Sequence, residues 1–385
     1  MAVINLLTAI NQALDIQLEK DPTVVVFGED VGLEGGVFRV TAGLQKKYGV
    51  DRVFDTPISE SAIVGSAVGM AINGMKPVVE IQFDGFIYPG YTDLVTHAAR
   101  MRNRSRGKYT VPMVLRVPVG GGIRALEHHS ESLEVLLGSI PGLKVVIPST
   151  PYDAKGLLTA AIKDPDPVVF MEPKRIYRAG KQEVPEGEYE IPIGKAKVVK
   201  QGTDVTVVAW GAVVREVEKA IKLLEKDNIN VELIDLRTIS PIDEETIINS
   251  VKKTGRFVVV HEAVKTYGPA AELISIVNEK AFLHLEAAPA RVTGFDITVP
   301  LDKSSGIREL DSLSLSLAGM THTLITRKTA LQDLNQSLES QVLARTADLT
   351  ESNRQLASLA SPDSLTGLAN RRQFDTNLLE DIARA

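Results

Sequence analysis

The stretch VFDTPISESAIVGSAVGMAINGMKPVVEIQFDGFIYPGY, residues 53–91, decides the fold. It reads as strand, turn, small-residue helix, strand and aromatic loop. Val53-Phe54-Asp55 is short and apolar enough for a buried strand, and Pro57 stops it. A helix is expected to begin near Ser59. Its interior (Ala62, Gly65, Ser66, Ala67, Gly69, Ala71) is almost free of bulky side chains, so something must approach its backbone closely. Lys76-Pro77 should end that helix, and Val78 to Phe83 should form a second strand that delivers Phe86 and Tyr88 into a loop.

The odd residue is Glu60, a carboxylate at the front of an apolar, tiny-residue helix. In one reading Ser59 caps the helix and Glu60 complements its positive end. In the other, the carboxylate is held in an apolar cleft with a raised pKa suited to proton traffic. The local sequence leaves both open.

Outward from this stretch the same alternation continues. Leu7, Ile10, Leu14 and Leu18 fall at helical spacing up to Asp21-Pro22, and Val24 to Phe27 is a buried strand before the turn Gly28-Glu29-Asp30. Downstream come a helix from about Tyr91 to Arg102, a strand from Met113 to Val117 opening into Gly120-Gly121-Gly122, and the polar segment Glu127-His128-His129-Ser130-Glu131-Ser132. Leu143 to Ile147, a helix near 151–163 and Val168 to Glu172 complete the set. Strands separated by such helices mean a parallel α/β sheet covered on both faces. Residues 173–202 are charged, carry Pro and Gly, and read as an inter-domain connection. A second α/β set follows, with strands at Asp204 to Trp210, Val231 to Leu236, Phe257 to His261 and Arg291 to Phe295, and helices near 212–226, 243–253 and 268–281.

Composition narrows the class. The chain has 385 residues, enough for two or three domains, and its net charge of -6 argues against a polyanion-binding protein. The basic run Arg100 to Lys108 reads as a solvated helix end. With no cysteine, disulfides, thiol nucleophiles and Cys-ligated metal centres are excluded. Neither a signal-peptide core nor a membrane-length apolar run is evident, so a cytoplasmic protein without membrane or nucleic-acid partners is expected.

In open parallel sheets, ligands bind beyond the carboxyl ends of the strands. Glu60 follows the strand ending at Asp55, Phe86 the one ending at Phe83, and His129 the one ending at Val117, so all three belong to one edge. No nucleophile elbow, Walker loop or metalloprotease His-Glu motif is present. The residues thus describe an acid, an aromatic platform and a histidine without a diphosphate or divalent-metal anchor.

Phe54-Asp55-Thr56-Pro57-Ile58-Ser59-Glu60, Gly120-Gly121-Gly122, Glu127-His128-His129-Ser130-Glu131-Ser132 and Pro141-Gly142-Leu143-Lys144-Val145-Val146-Ile147-Pro148 closely resemble the β subunit of the first component of 2-oxoacid dehydrogenase complexes. So do Asp235-Leu236-Arg237-Thr238 and His261-Glu262-Ala263. The resemblance covers about residues 1–300 and is greatest to the bacterial pyruvate dehydrogenase branch; branched-chain 2-oxoacid and acetoin dehydrogenases share most of the motifs. It implies two three-layer α/β domains with parallel or mixed sheets: a transketolase-like pyrimidine-binding domain at 1–175, a linker at 176–202 and a transketolase C-terminal-like domain at 203–303 lacking the family's last helix. It also implies thiamine diphosphate bound between this chain and an α subunit in an α2β2 heterotetramer, with the α subunit supplying the diphosphate and magnesium motif. A lipoyl acyltransferase core subunit and a second β copy are further implied partners. Glu60 matches the glutamate that hydrogen-bonds the cofactor's aminopyrimidine ring and exchanges a proton with it. Phe86 matches the aromatic packed on that ring, with Ile58 and Tyr88 counted among the cofactor-binding positions. His129, rather than His128, matches the active-site histidine, judged from its distance to Ser130 and Ser132. A potassium site is implied at Met113, Ala161, Ile162, Asp164 and Asp166, mostly through main-chain oxygens; Asp164-Pro165-Asp166-Pro167 otherwise reads as a turn.

The resemblance stops near Lys303. Leu317, Leu324, Leu331 and Leu338, then Val342, Leu349 and Leu356, form heptads with one stutter, so residues 304–360 are expected to be a projecting helix or coiled coil. Arg308 to Ala360 resembles a signalling helix, and Asp363 to Arg372 (DSLTGLANRR) the opening of a GGDEF diguanylate cyclase domain, at 361–385. The chain stops at Ala385 before that domain's namesake loop, so no cyclase activity is expected. A non-catalytic coiled-coil interaction protein is the competing expectation.

Overall fold

The computed structural model describes residues 1–123, 125, 128–293, 337, 340–342, 344–354 and 371–384. Residues 1–318 and 319–385 are separate units. Within the first unit there are three sheets. Strands β1 (Ala2–Ile4) and β8 (Gln182–Val184) form a small antiparallel pair. The largest sheet contains β2 (Val24–Gly28), β3 (Val53–Asp55), β4 (Lys76–Glu80), β5 (Val114–Val119), β6 (Lys144–Val146), β7 (Val168–Pro173) and β12 (Thr238–Ser240), in the order β12-β6-β7-β5-β4-β2-β3. All its pairings are parallel except that of β12 with β6. The second sheet runs β14 (Ala290–Thr293), β13 (Phe257–His261), β10 (Val205–Ala209), β11 (Val231–Asp235) and β9 (Lys197–Lys200), with only β9 antiparallel.

Helices cover both faces. Along the large sheet these are α1 (Leu6–Lys20), α2 (Leu44–Tyr48), α3 (Glu60–Ile72), α4 (Tyr88–Asp93), α5 (Met101–Arg104), α6 (Glu134–Gly138) and α7 (Pro151–Lys163). Along the second sheet they are α8 (Val214–Leu224), α9 (Glu244–Thr254) and α10 (Pro269–Ala281). Successive strand residues point to opposite faces, so Val25 and Phe27 enter one core while Val24 and Val26 enter the other. The first core runs on through Trp210, Leu236 and Val259, which makes one apolar interior of the two α/β halves.

Local chemistry moves several expected boundaries. Helix α3 stops at Ile72, before Lys76-Pro77, because Asn73 donates to the Gly69 carbonyl and Gly74 takes a left-handed φ of +94°. Lys76 and Pro77 therefore open β4, where a missing N–H is tolerated. The helix expected from Tyr91 starts earlier, with Pro89 in its first turn, and passes through a π-turn at Leu94–Ala98. The 173–202 connection carries β8 and β9 and so is tied into two sheets. Residues 344–354 and Arg371–Arg384 are helical, and the heptad positions Leu317, Leu324, Leu331, Leu338 and Leu356, with Asp363 to Asn370, lie outside the described residues. Among the described residues no helix is long and apolar enough to cross a membrane.

Candidate functional site

Glu60 opens α3, where β3 has just left the sheet, and is half-buried. Ser59 makes no side-chain cap bond, so half of the simple helix-end reading is absent. The close approach expected at this helix comes from α4: a Cβ on Gly90 would lie 2.8 Å from the Glu60 carbonyl oxygen and 2.8 Å from Val64. That contact brings the aromatic turn against the start of α3. Ser61 bonds Asp93 of α4 at 2.9 Å, and Gly65 also faces Asp93. Gly69 meets nothing, and Ser61, Ala62, Ser66 and Gly69 are exposed. The small-residue face is open.

Glu29, at the end of β2, is a residue the sequence reading passed over as part of a turn. Its carboxyl is buried, and one oxygen has no hydrogen-bond partner. Burial pushes its pKa up, and the charges of Glu60, Asp30 and Glu80 push the same way. A buried carboxyl thus stands within electrostatic reach of Glu60. Below it, Arg116 is fully buried, bonding Glu172 through Nε at 2.6 Å and Glu80 through Nη1 at 2.7 Å. Tyr177 donates to Glu172 at 2.6 Å. Burial opposes the Arg116 charge, but the two carboxylates outweigh it and raise its pKa.

The aromatic turn and the histidines meet as expected. His129 packs against Phe83 at 4.6 Å and edge-on to Phe86 at 5.0 Å between ring centroids. His128 is exposed, with a φ of +68°, and its backbone lies so close to Gly85 that a Cβ there would sit 2.3 Å from the His128 carbonyl oxygen. The loop is therefore seated directly on the Phe83–Phe86 turn. Ile58 is 84% exposed and Tyr88 53%, on the rim. Three charged residues to which the sequence reading gave no individual role lie behind the loop. They are Asp84, Lys174 and Glu262, the last of which accepts the Gly121 N–H at 2.7 Å from the second half of the chain.

The five proposed potassium positions gather away from this edge. Met113 precedes β5, while Ala161 and Ile162 lie at the end of α7, and Asp164 and Asp166 lead into β7, at the amino ends of those strands. The Asp164 carboxylate binds Lys144 at 2.7 Å, and Asp166 binds Arg102 at 2.6 Å. Among the described residues no group of three or more His, Asp or Glu side chains is placed to hold a metal ion.

Comparison with known proteins gives the family of the chain. Residues 2–180 match the pyrimidine-binding domain of transketolase, and residues 194–311 match the transketolase C-terminal domain. A pyruvate dehydrogenase E1 component subunit β from Acholeplasma laidlawii is 83% identical over 301 residues, covering 78% of this chain and 92% of the relative. The chain belongs to the pyruvate dehydrogenase E1 β-subunit family. The Mycoplasma pneumoniae member is 56% identical over 77% of this chain and 91% of its own length, and the Bacillus subtilis member 52% identical over 80% and 94%. A solved split-gene transketolase, described as an inactive β4 tetramer, superposes with a TM-score of 0.64 at 21% identity, over 82% of this chain and 98% of that one, and shares the fold. Family membership makes this chain a component of a 2-oxoacid dehydrogenase, and thus of an oxidoreductase.

Proposed function

We propose that this chain is the β half of a pyruvate dehydrogenase site that holds thiamine diphosphate against an α subunit, in an α2β2 assembly that passes acetyl groups to a lipoyl acyltransferase. The observation that carries the reading is the half-buried Glu60 within electrostatic reach of Glu29, whose buried carboxyl leaves one oxygen without a hydrogen-bond partner, joined through the α3–α4 contact to Phe86 and His129. Bound thiamine diphosphate supplies the electron sink for decarboxylation. Glu60 would hold and exchange a proton with the aminopyrimidine ring, and Phe86 would pack on that ring, with Ile58 and Tyr88 at its border. His129 would give polar contact or move a proton in the 2-oxoacid and lipoyl steps. The exposed small face of α3, together with the exposed Ile58 and Leu33, offers the surface for the α subunit, through which magnesium would be held. A cytoplasmic location suits an enzyme that forms acetyl-CoA from the product of glycolysis.

Purified alone, the chain should not decarboxylate pyruvate with an artificial electron acceptor, and addition of a matching α subunit should start turnover. Turnover without an α subunit would defeat the half-site reading. A panel of 2-oxoacids on the reconstituted enzyme should favour pyruvate; preference for a branched-chain acid, or for acetoin in its place, would reassign the substrate. The carbonyls around Met113, Ala161, Ile162, Asp164 and Asp166 suit a monovalent cation, because Lys144 and Arg102 already compensate the two carboxylates. The chain should then melt higher in potassium than in sodium chloride at equal ionic strength, and equal melting would remove the site.

A further inference from the structure

Lys174 begins the turn after β7 and is only 5% exposed, yet its ammonium has no hydrogen-bond partner. It lies 5.6 Å from the centre of the Phe83 ring, the ring on which His129 also packs. Burial lowers its pKa, against the pull of the carboxylates of Asp84, Glu262 and Glu131. Each of those three belongs to a segment that fixes one end of the His129 loop. Asp84, itself buried, accepts the Leu133 N–H at 3.1 Å at the far end. Glu262 accepts the Gly121 N–H at 2.7 Å, and its other oxygen lies where a Gly120 Cβ would be only 2.8 Å away. The backbone carbonyl of Glu131 accepts the Gly120 N–H at 2.7 Å. Three carboxylates facing one ammonium make a poor site for an anion, so the unpaired Nζ is not a substrate-carboxylate pocket. Its consequence is internal: burial pushes the Asp84 carboxyl well above its ordinary range and Lys174 pulls it back, so without that ammonium Asp84, Glu262 and Glu131 lose their common counter-charge beneath the loop they hold.

We propose that Lys174 is a positioning residue whose single buried ammonium balances the carboxylates clamping both ends of the His129 loop, and so fixes the imidazole against Phe83 and Phe86. The proposal rests on His129 being part of the active site. In the assembled α/β enzyme, hydrogen exchange of the 119–134 segment is compared among parent, Lys174→Arg, Lys174→Met and the double variant Lys174→Met/Glu262→Gln. Lys174→Met should speed exchange at Gly121 and Leu133 at least tenfold and lower kcat about tenfold or more, within the span that a misplaced acid–base group costs, with little change in the KM for pyruvate. Lys174→Arg should stay near the parent in both. Glu262→Gln keeps the acceptor for Gly121 but removes a charge, so the double variant should recover protection that Lys174→Met loses. A side chain that matters only by packing would not be rescued by deleting a carboxylate. Unchanged protection in Lys174→Met, no recovery in the double variant, or failure of both to assemble would overturn the proposal. Protection lost with turnover intact would keep Lys174 as the clamp and instead remove His129 from the reaction.

Discussion

At the scale of single residues, the site turns on whether Glu60 is a proton carrier or a helix-end charge. Ser59 forms no side-chain cap, and Glu60 has the buried Glu29 for an electrostatic neighbour, an arrangement a solvated helix start would not keep. Glu60→Gln preserves size and hydrogen bonding but cannot cycle a proton. The assembled variant should therefore fold normally and lose two to four orders of magnitude in turnover, roughly what general acid–base groups supply. Near-parent turnover would return Glu60 to the helix-end role. His129→Ala should cost more than His128→Ala, because the His129 ring rests on Phe83 and Phe86 while His128 is exposed; the reverse order would reassign the histidine. These residues were legible because each is a chemically distinctive side chain just past a strand end. The roles of Glu29, Lys174 and Glu262 were not. Glu29 sits in a Gly-Glu-Asp turn that looks solvated, and Glu262 reaches Gly121 from 141 positions away. Their importance comes from burial by distant segments, which no local pattern records.

At the scale of elements, apolar strand runs and helical periodicity located nearly every core element, since burial of both sheet faces writes itself into composition. What escaped were short edge strands, such as β12, which leaves the second half of the chain to pair with β6. Their register depends on a partner far away in sequence. The same junction carries a pH-sensitive contact. Trp210 donates to Glu134 at 3.1 Å and stacks on His261, with ring centroids 5.3 Å apart and an interplanar angle of 8°. His261 is buried; burial first, and Arg291 second, lower its pKa to about 4, against a smaller upward pull from the Ala263 backbone. A histidine depressed in the folded state binds fewer protons than in the unfolded chain, so its stability contribution is whole above about pH 6.5 and falls away toward pH 4. Buried carboxyls such as Glu134, raised by burial, act in the opposite sense over part of that window. The difference between parent and His261→Phe isolates the histidine. Urea unfolding from pH 7.5 to pH 5 should show the parent losing about 2 kcal/mol relative to the variant. Parallel curves would mean that His261 charges freely in the fold.

At the scale of the whole molecule, the family match and the rest of the chain behave differently. The match to the transketolase C-terminal domain runs to residue 311, and the resemblance read from the sequence stops near Lys303. Beyond it, Val342 and Leu349, two of the heptad positions, are 58% and 63% exposed on the helical 344–354 region and its approach. Leu313, Leu315 and Leu317, the apolar residues that follow the resemblance in place of the family's last helix, lie outside the described residues. Two apolar heptad residues left in solvent on a helix with polar neighbours are a seam in want of a partner, and a second copy of the same helix is the partner always present at equal concentration. The full chain should therefore show a higher mass by light scattering than a chain ending at Asp311. The cut falls there because an earlier one, at Lys303, would remove residues within the family match and confuse loss of the body with loss of the tail. The shortened chain should bind the α subunit as well as the full one and the acyltransferase core better, if self-association of the tail competes with docking. Equal masses and equal binding of the acyltransferase would make the tail an inert extension, and loss of α-subunit binding on shortening would shift the working part of the molecule from the α/β body to the heptads.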